Sequence, residues 1–390
     1  MIHLGGKQMK KLLSVLLILV MVFSFAACGG GGSDSGMKVA LVTDKGNIDD
    51  KSFNQGSWEG VIEFCEANGM EEETNYKYFK PEEYSDAGYL AAIKLAVDDW
   101  GANVVVCPGF LFEVAVYEAQ TLYPDVNFLL IDGSPHTADY ATYKTEANVA
   151  SIMYAEEEAG YLAGYAAVKD GLTKLGFMGG MAVPAVQAFG YGYLQGAEAA
   201  AQEDGVEVTA LYHYTGDFEE NDKNLAMAKA MYQSGTEVIF GCGGSVGKSV
   251  FSAADHGNVG KTIGVDVDQR LDDASVITSA TKGLGASVVT VLEAIQDGTF
   301  GTYGGQTTYF AAKNDGVGLP VVVSDGSSDD AFDRFEKFDK AAYDAVFAKL
   351  VDGSVDPVRE IELASEDGVP TDAELTKGLS LDKVTVTVWK

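Results

Sequence analysis

Three aspartates stand directly after runs of mostly aliphatic residues: Asp44 after Val39-Ala-Leu-Val-Thr43, Asp132 after Phe128-Leu-Leu-Ile131, and Asp266 after Thr262-Ile-Gly-Val265. Two further runs end in glycine, at Gly109-Phe110 and at Gly241-Cys-Gly-Gly244. A carboxylate at a strand end accepts hydrogen bonds from hydroxyls or ring amines, and a neighbouring aromatic grips a flat face. One such aspartate is often only a helix cap, whereas three beside glycine turns predict a crevice. The stretch after Asp44 leads through a loop containing Gly46 into Ser52-Phe53-Asn54-Gln55 at the head of an apolar-periodic segment. Ser52 and Gln55 have the spacing of a capping box, so either capping or ligand contact accounts for them. Phe53, in the first helical turn, is expected to face the crevice, where a flat ligand can stack on it.

Alternating strands and helices position these residues. Strands are expected at Val39–Thr43, Tyr76–Phe79, Val104–Cys107 and Phe128–Asp132, with helices at Phe53–Asn68, Ser85–Trp100 and Phe112–Tyr123. Short apolar strands, each followed by a helix, predict an α/β protein with parallel sheets covered on both faces. After a crossing strand near Val149 and a helix over Ala155–Val168 the rhythm restarts. Strands follow at Leu175–Met178, Glu207–Tyr212, Val238–Cys242 and Thr262–Val267, which predicts a second, similar lobe. The first lobe is expected to comprise 37–150 and about 275–315, the second 151–274 and about 316–390. Asp330–Leu350 reads as one amphipathic helix and Val384–Trp389 as an edge or hairpin strand.

The amino terminus differs from the rest. Lys7, Lys10 and Lys11 precede the uncharged Leu12–Ala27, so 1–27 reads as a signal peptide. Ala26-Ala27-Cys28 followed by glycine is the pattern in which Cys28 becomes lipidated, with 28–36 as lipidated cysteine and flexible tether. Loss of 1–27 removes three of the 27 basic residues and none of the 58 acids, giving a mature formal charge of −34. Such a surface repels nucleic acid and favours neutral or cationic ligands. Only three arginines occur, Arg270, Arg334 and Arg359, which weakens the case for a phosphate fork.

Cys65, Cys107 and Cys242 are widely spaced, and with four histidines in the chain they form neither a disulfide framework nor a metal pattern. No cofactor or metal is expected. Gly241 to Ser249 approaches a P-loop, but its spacing from Gly241 to Gly247-Lys248-Ser249 is one residue too long. The favoured reading is a glycine turn that lets backbone approach a ligand. His136, His213 and His256 have no partner evident from spacing, so an enzyme is not expected.

Four stretches together resemble one family: Asp49-Asp-Lys-Ser-Phe-Asn-Gln55, Glu157-Glu-Ala-Gly-Tyr-Leu-Ala-Gly164, Gly176-Phe-Met-Gly-Gly-Met181 and Ile263-Gly-Val-Asp-Val-Asp-Gln269. They look like the basic membrane protein family of bacterial substrate-binding lipoproteins, purine nucleoside receptors of ATP-binding-cassette importers. The resemblance implies a two-lobed type I periplasmic-binding-protein fold, each lobe a parallel sheet flanked by helices, closing on a nucleoside such as guanosine, inosine or adenosine. By the same likeness Phe53 and Phe189 would stack on the base, with Tyr191 or Tyr193 able to share the second role. Asp44 and Asp132 would hold the base edge, Asp266 and Lys282 the ribose, and Gly241 to Gly244 would approach as backbone. The candidate ligand-binding set is Asp44, Ser52, Phe53, Asn54, Gly109, Phe110, Asp132, Phe189, Gly241, Gly244, Asp266 and Lys282. The implied protein is a monomer, lipid-anchored outside a bacterial cell membrane and partnered by permease and ATPase subunits. A ligand sensor for a signalling partner and a nucleoside hydrolase are the alternatives.

Overall fold

The computed structural model describes residues 36–365 and 367–389, so the expected signal peptide, Cys28 and the expected tether up to residue 35 lie outside the described residues. The opening strand β1 (Val39–Val42) is buried along its whole length. Its alternation divides it between two faces: Val39 and Leu41 pack with Trp58, Val61 and Phe64 of α1 (Phe53–Ala67). Ala40 and Val42 join a cluster on the other face. That second cluster holds Ile93 of α2 (Asp86–Lys94) and Val116 of α3 (Glu113–Leu122). A strand buried on both faces reads as a continuous apolar run, which is why Val-Ala-Leu-Val was recognisable.

Two sheets result. The first has the order β11-β5-β4-β3-β1-β2, built from β2 (Tyr76–Phe79), β3 (Val104–Pro108), β4 (Asn127–Ile131), β5 (Val149–Tyr154) and β11 (Gln306–Phe310) beside β1. All its pairings are parallel. Strand order reverses between β1 and β3, so the loops after them, carrying Asp44 and Gly109, flank the crevice of this sheet.

The second sheet has the order β12-β10-β9-β8-β6-β7-β13. Its strands are β6 (Lys174–Gly179), β7 (Val208–Tyr214), β8 (Val238–Cys242), β9 (Lys261–Asp266), β10 (Val276–Lys282), β12 (Val317–Gly318) and β13 (Val384–Val388). Only the short β12 runs antiparallel to its neighbour. The final Val384–Val388 run is an edge strand, parallel to β7.

Sheet membership places the crossings at other residues than expected. β5 runs to Tyr154 in the first sheet, and β10 stays in the second sheet until Lys282, although 275 onward was expected to return to the first lobe. The chain crosses to the first lobe after Lys282, where α8 (Leu284–Gln296) packs on α1. A β-carbon at Gly60 would lie 2.7 Å from the Gly285 Cα, so that contact needs a glycine.

At the first crossing α4 (Glu156–Lys169) packs along α5 (Pro184–Asp204) through glycines on both helices. A β-carbon at Gly160 or Gly164 would overlap the carbonyl oxygens of Phe189 or Tyr193. One at Gly192 or Gly196 would overlap those of Glu157 or Tyr161.

The expected helix over Asp330–Leu350 is only half there: α9 spans Lys340–Val351, capped by Asp339. Residues 330–338 cannot continue it because the backbone N–H groups of Glu336, Lys337 and Phe338 all donate to the buried Asp170 carboxylate at the end of α4. Phe332, Phe335 and Phe338 form an aromatic cluster with Tyr343 without being helical neighbours. Among the described residues no helix is long and apolar enough to cross a membrane.

Candidate functional site

Lys282 ends β10 at the second crossing, and its ammonium is the point on which both lobes converge. Its side chain is 2% exposed and pairs with Asp132, at the end of β4, and with Glu156 at 3.0 Å. The nitrogen lies 5.1 Å from the ring centroid of Phe53, 5.3 Å from that of Phe189 and 5.3 Å from that of Tyr154. Phe53 comes from the first helix of the first lobe and Phe189 from α5 of the second, so two aromatic faces from different lobes meet at one cation. Tyr191 and Tyr193 are buried, with Tyr193 packed edge-on against Phe240, and Phe189 is the α5 aromatic that reaches Lys282.

The strand-end aspartates surround this point. Asp132 (φ 56°) and Asp266 (φ 67°) both adopt the left-handed conformation that Asp tolerates better than most residues, turning their carboxyls off the strand ends. The Asp266 carboxylate accepts a 2.5 Å hydrogen bond from the Ser52 hydroxyl, a direct link between the lobes. A second link runs from the Gln269 side-chain amide to the Lys51 carbonyl at 2.6 Å. Ser52 is therefore not the cap its spacing suggested: its side chain accepts no capping bond. Asp50 does that work, accepting from the N–H groups of Ser52, Asn54 and Gln55 at 2.8, 3.0 and 3.2 Å. Gln55 instead accepts from the Lys51 N–H and donates to Glu59.

Asn54 braces Asp44, accepting from its N–H at 3.1 Å and donating to its carboxylate at 2.8 Å. That same carboxyl oxygen takes the Gly46 N–H, while the other lies near Gly109, whose φ of 111° favours glycine. Phe110 is half-buried and opens a single turn before α3. Gly241 and Gly244 are packing positions: a β-carbon at Gly241 would meet Gly247 and Val250 of α7 (Val246–Ala254), and one at Gly244 would meet Phe218.

Charge in the site is tightly compensated. Burial opposes ionisation of Lys282, but Asp132, Glu156 and Asp266 outweigh it and raise its pKa. Burial pushes Asp132 up to about 7 despite Lys282, with Glu156 adding to the rise. Burial also raises Asp266, opposed by Lys282 and Ser52. Glu156 is raised by burial, yet Lys282 and Arg359 more than offset this and hold it below the usual carboxylate range. Spacing gave no sign of Glu156, Tyr154, Gln269 or Arg359. Glu156-Glu-Glu158 is a run of three acids in a first helical turn, and the fold buries the first of them completely.

Asp44 is pushed up to about 6, mainly by burial, with its hydrogen bonds from Gly46 and Asn54 opposing. The folded chain thus holds more protons than the unfolded one between the ordinary aspartate range and about 6. Its stabilising contribution is complete below that window and lost as pH rises through it. Asp44→Asn should flatten the pH dependence of the melting temperature between about pH 4 and 6, relative to the parent protein. Identical slopes for the two proteins would rule out this origin.

His136 and His256 do have carboxylate partners, Glu113 at 3.1 Å and Asp273 at 2.6 Å. Among the described residues no cluster of His, Cys, Asp or Glu is placed to hold a metal ion.

Two sheets, parallel but for β12, are joined by crossings, and aromatics and carboxylates from both lobes gather around Lys282, an arrangement suited to a small molecule held between lobes. Residues 37–347 match the family described as ABC transporter substrate-binding protein PnrA-like, and the chain belongs to that family. It is 32% identical over 326 residues to the ABC transporter nucleoside-binding protein BmpA of Lactococcus lactis, covering 79% of this chain and 88% of that one. It is 31% identical over 279 residues to basic membrane protein A of Borreliella burgdorferi, covering 70% and 77%. Among solved structures it resembles an ABC transporter solute-binding protein of Aeropyrum pernix, with a TM-score of 0.72 and 22% identity over 88% of this chain and 98% of the other. The fold is that of the type I periplasmic-binding proteins.

Proposed function

We propose that this substrate-binding protein takes up purine nucleosides such as guanosine, inosine and adenosine and hands them unaltered to a permease driven by an ATPase. The observation that carries this reading is the convergence of Phe53 and Phe189 on Lys282, ringed by carboxylates. A nucleoside has two aromatic faces for the rings, and amine and hydroxyl donors for Asp44, Asp132 and Asp266. The nucleoside-binding name of the Lactococcus relative points the same way. In this reading the chain acts as a monomer outside a bacterial membrane, anchored through lipid on Cys28 and tethered by 29–36. Cys28→Ser should move it from the membrane fraction to the soluble one, and unchanged retention would refute the anchor.

The charge balance supports a neutral ligand. Lys282 is already neutralised by Asp132 and Glu156, and each of the three arginines is held by internal acceptors. A phosphate would meet buried carboxylates where Lys282 and the arginines are already engaged. Equilibrium dialysis should show guanosine binding at least tenfold tighter than GMP, a difference of about 1.4 kcal/mol or more. Equal or tighter binding of GMP would overturn the assignment.

A further inference from the structure

Glu156 and Arg359 form a second layer beneath the ligand-facing lysine. Glu156 is fully buried in the first turn of α4, directly at the first crossing between lobes. One of its oxygens lies 3.0 Å from the Lys282 ammonium and the other 2.6 Å from the Arg359 guanidinium. Arg359 also donates to the Tyr154 carbonyl at 2.8 Å and to Glu157 at 2.6 Å. It arrives on the carboxyl-terminal segment, beyond the residues matched by the family model. That segment is pinned to α5 by a pair of hydrogen bonds: the Val358 N–H to the Gln195 side-chain oxygen at 2.8 Å, and the Gln195 amide to the Val358 carbonyl at 2.9 Å.

We propose that Glu156, held in place by Arg359, positions the Lys282 ammonium over the faces of Phe53 and Phe189, so that the carboxyl-terminal segment contributes to ligand binding without touching the ligand. The link to ligand rests on the proposed nucleoside site. Asp132 alone would draw Lys282 towards the first lobe. Glu156 supplies an opposing pull from α4, and Arg359 keeps that carboxylate charged and oriented. A buried carboxylate between two cations is strongly favoured in its ionised form, and removing its charge leaves both cations under-compensated.

The test uses two variants of the full chain, Glu156→Gln and Arg359→Gln, each also made in a Lys282→Met background. With guanosine as probe, Glu156→Gln should weaken binding at least tenfold in the parent background and less than twofold where Lys282 is absent. Arg359→Gln should follow the same pattern. Equal losses in both backgrounds, or no loss, would overturn the proposal, because a purely structural role adds independently of Lys282.

A ligand-free readout separates this proposal from the nucleoside assignment. Reductive methylation followed by peptide mass spectrometry should find Lys282 protected in the parent. In both variants it should be modified at least tenfold faster relative to exposed Lys340, while buried Cys107 stays unreactive to a thiol reagent. Unchanged Lys282 protection would overturn the proposal, as would Cys107 reactivity in both variants, since that marks unfolding. Absence of guanosine binding by the parent would reject the nucleoside reading and leave the labelling result to decide the positioning role.

Discussion

Gly164→Ala should be among the most damaging single-methyl changes in the described residues. The added β-carbon would overlap the Tyr193 carbonyl oxygen, and the obstructing atom is helix backbone that no rotamer change can move. Overpacking of a well-filled interior typically costs about 1–3 kcal/mol, and a backbone collision belongs at or above the upper end. The neighbouring Gly160 opposes the Phe189 carbonyl in the same way, so Gly160→Ala should both destabilise the fold and displace a ring of the proposed site. Urea unfolding checks the first expectation. A Gly164→Ala midpoint equal to that of the parent would mean that α4 and α5 separate more easily than their packing implies.

Phe53→Ala should have the largest effect on binding among truncations that leave the interior intact. The ring is half-buried at the start of α1, at the edge of the core, and lies over Lys282, so its loss removes a face of the proposed site. A stacked base is worth roughly 1–3 kcal/mol, which predicts about a ten- to hundredfold rise in Kd for guanosine. Phe53→Tyr should retain most of the affinity. A change of less than threefold on truncation to alanine would show that the base does not lie on this ring.

Asp44 and Asp266 were legible because each ends a strand whose apolar run announces itself, and the strand-order reversal beside β1 then places Asp44 at a crevice. Phe53 followed from its place in the first helical turn. Phe189 and Lys282 were not readable from spacing and came only through family resemblance, since a phenylalanine inside a helix and a lysine after a strand are common features. Ser52 was ambiguous because Asp50, two residues earlier, competes for the same helix amides, and local sequence does not show which side chain wins. Glu156 and Arg359 were hidden for a different reason: their role depends on a pairing across roughly 200 residues, and acids in a first helical turn are ordinarily solvated. The missing half of the 330–350 helix has the same cause, since Asp170 captures its amides from far away in sequence.

If the proposed site is right, the two lobes share one intact purine nucleoside. Isothermal titration of the protein with guanosine, followed by chromatography of the recovered ligand, tests it most directly. The expected result is a saturable isotherm with one site per chain and recovery of unchanged guanosine. No saturable binding, or recovery of free guanine in its place, would contradict it.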